Sequence, residues 1–393
     1  MHLMILILFI FSFSGAGELE VLIKYALDNS PALKTYQHMK KSAEYRERYS
    51  KSLPNPSAYL GLNNLPLNRP YPSKYESMSS LSVGFSQMYV LPTKREREAL
   101  TARVEGEIFR LQEEVAKREL IREIKLRYLE WLYTYKREEL YRNILSEIRS
   151  LEKLTEENYR LGRANLSELL SLKAEALKVE RDMRNLLEDR RILKVELDSL
   201  VGKSFELRGE EPAIQEVDLE ALNAEKSPYL KVVSEEIEKL KAEVERRRVE
   251  YLPDAEFMAE YMIRPGLENM FSLRVSVSLP LRRSVREELM VLEKLEELRA
   301  KELERERLRL QLRKEIQALK VEEVRVEGLR NLTQRLVEEK ENELKALQIA
   351  YTFGKADFRD ILRLYRELWE LRMNLLELEL ERKRIKVRAE VYL

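Results

Sequence analysis

The sequence predicts a mainly α-helical protein with a small β part: long antiparallel helical hairpins that carry four β-strands per chain. Three observations favour this fold. Charged residues make up 36% of the 393 positions and are interspersed, as in long helices laced with ion pairs. The chain repeats its own order of motifs. Each half also contains two short runs in which apolar and polar residues alternate, the pattern of half-buried strands.

The composition argues against catalysis and against nucleic-acid binding. The 71 basic and 70 acidic residues nearly cancel, so no bulk field attracts nucleic acid. With no cysteine, disulfides, thiolate metal sites, thiol catalysis and a lipid anchor on an N-terminal Cys are excluded. The only imidazoles are those of His2 and His38. We therefore expect no catalytic residues, no metal site and no cofactor, and do not expect an enzyme.

Residues 1–16 resemble a secretory signal peptide. An apolar run over residues 3–13 is too short to span a bilayer, and the small residues Ser14 and Ala16 follow it. The segment before the run contains no Lys or Arg, which departs from the usual pattern. We expect cleavage near Ala16 or Gly17. The alternative is a buried N-terminal helix.

Two tandem repeats account for the rest of the chain. The stretch "YRLGRANLSELL" begins at Tyr159, and "YTFGKADFRDIL" begins at Tyr351. Likewise "ALDNSPALK" at residue 26 corresponds to "ALNAEKSPYLK" at residue 221. Repeats of this kind predict duplicated structure. The predicted units are residues 17–200 and 218–393, joined by an equatorial linker over residues 201–217.

Both units have the same predicted order of elements. A helical stretch (18–52 or 218–251) precedes two strands, a long helix (93–160 or 282–352), a turn and a shorter helix (165–200 or 357–393). In the first long helix, apolar residues recur at helical spacing: Leu100, Val104, Ile108, Leu111 and Val115. The two shorter helices together match the length of the long one. This predicts a double-layered rod with the linker at mid-height.

The four predicted strands are the decisive feature. They cover about 57–65, 77–91, 254–263 and 269–279, and each is about long enough to cross a bilayer when tilted. A Leu-Pro pair marks each junction with a helix, since proline cannot donate to a sheet. On the polar face of these strands lie Glu256, Glu260 and Arg274, which we expect to line a barrel lumen.

An open sheet of four strands cannot lie in a membrane, because its edge amides would be unpaired in hydrocarbon. The barrel must therefore be shared among copies: two would give eight strands, and three would give twelve with room for a pore. The alternative is a pair of soluble hairpins that cap a helical bundle.

The repeat, the Leu-Pro junctions and the Tyr-x-x-Gly turns together resemble the TolC-type outer-membrane efflux channels over about residues 18–393. The resemblance implies a homotrimer in the cell outer membrane, with most of the chain in the periplasm. Its strands would form a shared 12-stranded transmembrane barrel, in contact with outer-membrane lipid, above an α-barrel tunnel. It also implies two protein partners at the far tip: a periplasmic adaptor (membrane fusion) protein and an inner-membrane transporter.

The sequence predicts that the chain ends one helix, reverses direction and starts another at each repeated turn, residues 161–165 and 353–357. Gly162 and Gly354 follow long helices, where a left-handed residue ends a helix. Asn165 and Asp357 stand where the next helix starts. Each has an acidic residue three positions later, in the spacing of a capping box, namely Glu168 and Asp360.

The resemblance adds a function to these turns. It implies a periplasmic aperture formed by Asp360, Glu168, Tyr351 and Arg363, and a tip that contacts the adaptor through Gly162, Arg163, Gly354 and Lys355. Repeated around an axis, the carboxylates would attract cations. Two positions depart from the family pattern: Arg363 replaces an acidic residue, and Ala356 replaces a basic one. The predicted function is a passive exit duct opened at this tip. The alternative is a soluble periplasmic coiled-coil scaffold or adaptor without a pore.

Overall fold

The computed structural model describes residues 17–68, 70–162, 164–353 and 355–393, so the predicted signal peptide, residues 1–16, lies outside the described residues. The α-helices are α1 (Glu18–Asn29), α2 (Pro31–Ser50), α3 (Pro92–Arg160), α4 (Leu166–Val201), α5 (Pro228–Arg248), α6 (Glu287–Thr352) and α7 (Phe358–Ala389). The strands are β1 (Ser57–Asn63), β2 (Ser80–Tyr89), β3 (Ala255–Ile263) and β4 (Met270–Val277). The fold is thus mainly helical with one small sheet, as the sequence predicts.

The chain divides into two compact units. The first, here the sheet unit, comprises Thr35–Glu114 and Pro228–Leu310. The second, the helical unit, comprises the chain up to Lys34, Val115–Ser227 and Gln311–Leu393.

Two prolines set helix starts that differ from the sequence-based expectation. The stretch predicted as one helix over 18–52 is divided at Ser30, whose backbone is extended (ψ 121°) before Pro31. The prediction of one helix over 218–251 was wrong for its first ten residues, because α5 begins at Pro228 and only Ala224–Lys226 before it form a short 3-10 helix. Ser227 before it has ψ 135°. Proline disfavours helical backbone in the preceding residue but fits the first position of a helix, so each Ser-Pro pair starts a new helix.

The strands form one antiparallel sheet in the order β1-β2-β3-β4, and each lies inside its predicted range. Register aligns Leu60 with Val83, Val83 with Tyr261, and Tyr261 with Phe271, so these residues share one face. Among the residues that the structure describes, β1 and β4 each pair with another strand on one side only. The sheet therefore has two open edges.

The helical unit has several apolar clusters. One joins α3, α4 and α7 beside the two turns and includes Ile148, Leu172 and Ile361, all buried. Another joins α1, α3 and α4 around Ile124 and Tyr128, which are fully buried. Burial of such side chains, each contributing about 1.5–3 kcal/mol, favours the folded arrangement of these helices.

The segment that follows α4 is held by the side-chain carboxylate of Glu18, the first residue of α1. Gly202, with φ +83°, ends α4 in the left-handed conformation. Glu18 then accepts hydrogen bonds from the backbone N–H of Arg208 (2.5 Å) and Gly209 (3.1 Å). The Tyr128 hydroxyl donates to the same carboxylate at 2.7 Å. Residues 208–210 are thereby fixed against α1 and α3.

Candidate functional site

The sheet exposes its apolar face and buries serines on its polar face, the reverse of a sheet in a soluble protein. Its apolar side chains point to the outside and are 38–77% exposed: Leu60, Leu62, Leu81, Val83, Phe85, Phe257, Tyr261, Ile263, Phe271, Leu273, Val275 and Val277. On the opposite face, Ser80 and Ser82 are buried. An exposed apolar surface of this size marks a site of contact with another molecule or a membrane.

Hydrogen bonds organise the polar face around Asn63. Its amide donates to Ser82 Oγ at 3.1 Å and to Glu260 Oε1 at 3.3 Å. The Ser82 hydroxyl donates in turn to the carbonyl oxygen of Gly61 at 3.3 Å. These bonds link three strands. Asn63 is not among the residues predicted for the polar face, although its even spacing from Tyr59 and Gly61 places it there.

The three predicted lumen residues share this polar face. Glu260 is opposite Gly84 and Ser272, Glu256 is opposite Ser276, and Arg274 is opposite Met258. The two glutamates are half-buried, and Arg274 is exposed. Their role in a lumen stays a prediction.

The first turn has the predicted glycine conformation but lacks the predicted cap. Gly162 has φ +69°, and its N–H donates to the Tyr159 carbonyl at 2.9 Å. Asn165 is extended, yet its side chain makes no capping hydrogen bond, so the expectation of a side-chain cap was wrong here. Only its backbone participates, as Glu168 N–H donates to the Asn165 carbonyl at 3.1 Å. Arg163, a predicted tip residue, lies outside the described residues.

The second turn is capped as predicted. Asp357 Oδ1 accepts the Arg359 N–H at 2.8 Å, and the Arg359 guanidinium is 3.0 Å from Oδ2. These hydrogen bonds lower the pKa of Asp357. The N–H of Lys355, an exposed residue, donates to the Ala350 carbonyl at 2.9 Å, a six-to-one bond typical of a helix end. Gly354 lies outside the described residues.

Two predicted aperture residues from different turns are electrostatic neighbours. Tyr351 is half-buried, with its ring centroid 6.3 Å from that of Phe358. Burial, and then the negative charge of Glu168, raises the pKa of Tyr351. Glu168 Oε2 is itself buried and has no hydrogen-bond partner among the described residues.

Asp360 and Arg363 form an ion pair within α7. Arg363 Nη2 is 3.2 Å from Asp360 Oδ1, and both side chains are largely exposed. Arg363, which departs from the pattern of the family that the sequence resembles, therefore offsets the charge of Asp360, a predicted aperture residue.

The two turns differ in packing despite their similar sequences. In the second turn Phe358 and Leu362 are 3% and 5% exposed, inside the cluster beside the turns. Their counterparts Leu166 and Leu170 are 50% and 56% exposed. No feature of the sequence distinguishes them, because burial depends on which helix packs alongside.

Two kinds of feature are absent from the part of the chain that the structure describes. No three His, Cys, Asp or Glu side chains there lie close enough together to hold a metal ion. Nor does any helix in the described ranges combine the length and the apolar character needed to cross a membrane.

No family profile matches the sequence, and no curated protein matches it. Solved structures do match. The outer membrane protein VceC of Vibrio cholerae is 19% identical with a TM-score of 0.78, covering 95% of this chain and 94% of that chain.

Two other structures are similar over the same length. The Neisseria gonorrhoeae MtrE outer membrane channel is 13% identical with a TM-score of 0.74, covering 95% of this chain and 88% of that one. The Campylobacter jejuni CmeC outer membrane channel is 12% identical with a TM-score of 0.70, covering 95% of this chain and 85% of that one. The chain has the fold of these outer-membrane channels, as the resemblance in its sequence predicted.

Proposed function

We propose that the protein is a trimeric outer-membrane exit duct of a tripartite efflux or secretion system. It is a passive conduit that performs no chemistry of its own. The observation that carries this proposal is the sheet's exposed apolar face, opposite a face of buried serines. Such a sheet is stable where hydrocarbon replaces water on its outer side.

The open edges of β1 and β4 support a shared barrel. Each edge presents unpaired backbone amides, which hydrocarbon does not tolerate. Pairing β4 of one copy with β1 of the next satisfies both edges. Three copies of this four-stranded sheet give twelve strands, enough to enclose a pore. In this barrel Glu256, Glu260 and Arg274 line the lumen.

The repeated turns form the periplasmic tip of the proposed duct. Asp360, Glu168, Tyr351 and Arg363 lie at its aperture; Gly162, Arg163, Gly354 and Lys355 contact the adaptor. The exposure of Gly162 and Lys355 and the closeness of Glu168 to Tyr351 support this assignment. Opening is then a separation of turns driven by the adaptor and the inner-membrane transporter.

The proposed domain organisation is a tandem duplication. Residues 17–200 and 218–393 each contain a helical stretch, two strands, a long helix and a shorter helix in that order, which supports it; the first helical stretch comprises α1 and α2, and the second comprises α5. Residues 201–217 link the repeats, and residues 1–16 direct export.

The mass of the particle extracted by detergent tests the proposal. We expect three chains per particle and a protein that resists alkaline extraction from membranes. A monomer that dissolves without detergent would instead support the soluble scaffold or adaptor.

A further inference from the structure

The apolar face of β4 continues beyond the end of the strand. Every second residue from Phe271 to Val277 is exposed and apolar, and Leu279 and Leu281 extend this alternation past Pro280. Leu279 is 67% exposed and Leu281 is 87% exposed. A segment outside the sheet that keeps the sheet's apolar face touches the same environment as that face.

Arginines begin where the alternation ends. Arg282, Arg283 and Arg286 follow within five residues of Leu281, and all three are exposed. Val285, between them, is 64% exposed. Among the described residues, neither Arg282 nor Arg286 has an ion-pair partner within 4.0 Å. An apolar segment that ends in unpaired guanidinium groups matches the boundary between acyl chains and phosphate.

Arg283 lies on the wall of a cleft. Its guanidinium carbon is 4.3 Å from the ring centroid of Tyr251, and its Nε is 3.7 Å from Glu288. The cleft holds about 590 Å³, and its lining includes three arginines, the carboxylates of Glu287 and Glu288, and apolar side chains such as Leu292. Arg247 and Arg248 are paired with Glu250 (3.7 Å) and Glu245 (2.9 Å).

The first repeat uses its cations differently at the matching junction. Lys94 is 2.8 Å from Asp254, and Arg95 donates to the carbonyl oxygens of Val90 and Lys51. These cations serve the protein's own structure. At the second junction Arg282 and Arg286 have no comparable ion pair among the described residues.

We propose that the segment over residues 279–286 binds the headgroup of an anionic phospholipid at the periplasmic surface of the outer membrane. The phosphate accepts from Arg282 and Arg286, and the acyl chains contact Leu279, Leu281 and Val285. This inference rests on the proposed function, which places the sheet in that membrane. Charge complementarity and continuity with the sheet's apolar face favour lipid over a second copy of the chain.

Native mass spectrometry of the detergent-extracted full chain tests the site. We titrate it with phosphatidylglycerol or phosphatidylcholine and count the lipids retained. The wild-type particle should retain the anionic lipid preferentially, less so at high salt. The double variant Arg282→Gln/Arg286→Gln should lose about fivefold in that preference per arginine removed. The matched control is Arg299→Gln/Arg307→Gln, two exposed arginines further along α6, which should retain the preference.

Several outcomes overturn the inference. One is equal retention of the two lipids by the wild type, and another is an equal loss in the control. Displacement of lipid by free glycerophosphate would show that a soluble phosphate is the ligand. A smaller particle for the double variant would show that the arginines contact a second copy. Failure of the proposed function is distinguishable, because alkaline extraction would then release the wild-type protein.

Discussion

The ring of Tyr59 lies directly on Gly84 of the neighbouring strand: a Cβ built on Gly84 would be 2.1 Å from Tyr59 Cζ. Gly84→Ala should therefore displace the ring and weaken the β1–β2 pairing. We expect the free energy of unfolding to fall by about 1–3 kcal/mol. The apparent melting temperature of the extracted protein measures it.

Gly328→Ala is the control for this change. Gly328 is in α6, and a Cβ there meets nothing within 4 Å. Alanine should stabilise that helix by about 0.5–1 kcal/mol. If both variants shift the melting temperature alike, Tyr59 does not require the space at Gly84.

The two repeated turns predict unequal effects of removing their capping residues. Asp357→Ala should lower the melting temperature, because the carboxylate accepts the Arg359 N–H at 2.8 Å. Asn165→Ala should leave it unchanged, because the Asn165 side chain makes no such bond. Asp357→Asn keeps an acceptor for that N–H but loses the ion pair with Arg359, so it should lower the melting temperature less than Asp357→Ala. Equal losses from the two alanine variants would contradict the difference between the turns.

Glu18→Gln should loosen the segment over residues 208–210. The charged carboxylate accepts from Arg208, Gly209 and Tyr128, and a neutral amide weakens those bonds by about 1.5–3 kcal/mol in total. Limited proteolysis should then cleave within residues 203–217 faster than in the wild type. Glu20→Gln, an exposed neighbour, is the control. Unchanged cleavage would assign the restraint to other contacts.

The stability of the helical unit should depend on pH through Glu138. Burial raises its pKa, but hydrogen bonds from Arg190 (2.5 Å) and Arg142 outweigh burial, and the pKa is lowered from the ordinary value of 4.5. A lowered folded-state pKa stabilises the fold above the unfolded value, and this contribution is lost as pH falls through the folded value. Stability should therefore decline below about pH 4.5.

Glu138→Gln tests this assignment. It should cost about 1–3 kcal/mol at pH 7 and flatten the decline in acid, as measured by unfolding at a series of pH values. Glu139→Gln, its exposed neighbour, should change neither. An unaltered acid profile in Glu138→Gln would show that other carboxylates cause the decline.

Asp360→Ala should raise the single-channel conductance in planar bilayers. In the structure Asp360 is 3.2 Å from Arg363, and in the proposed duct this variant removes a carboxylate from the aperture. Asp182→Ala, which removes a carboxylate further along α4, should leave conductance unchanged. Conductance that does not respond to Asp360→Ala removes this residue from the aperture.

The sequence by itself determined the strands and their polarity. Alternation is a local property, so every second residue of the strand predicted over 77–91 belongs to one face, and in the structure Leu81, Val83 and Phe85 are exposed together. Glycine's access to positive φ likewise predicted the conformation of Gly162.

Only the tertiary structure decided which of two similar turns is buried. Phe358 packs into a cluster whereas Leu166 does not, and Asp357 caps its helix whereas Asn165 does not. Tertiary packing also placed Tyr59 on Gly84 and Lys94 beside Asp254. It gave Arg282 and Arg286 no ion-pair partner among the described residues. The physical reason is that periodicity fixes the direction of a side chain from its own backbone. The residues that a side chain contacts belong to segments distant in the chain, and which of them lie close depends on the packing of the whole unit.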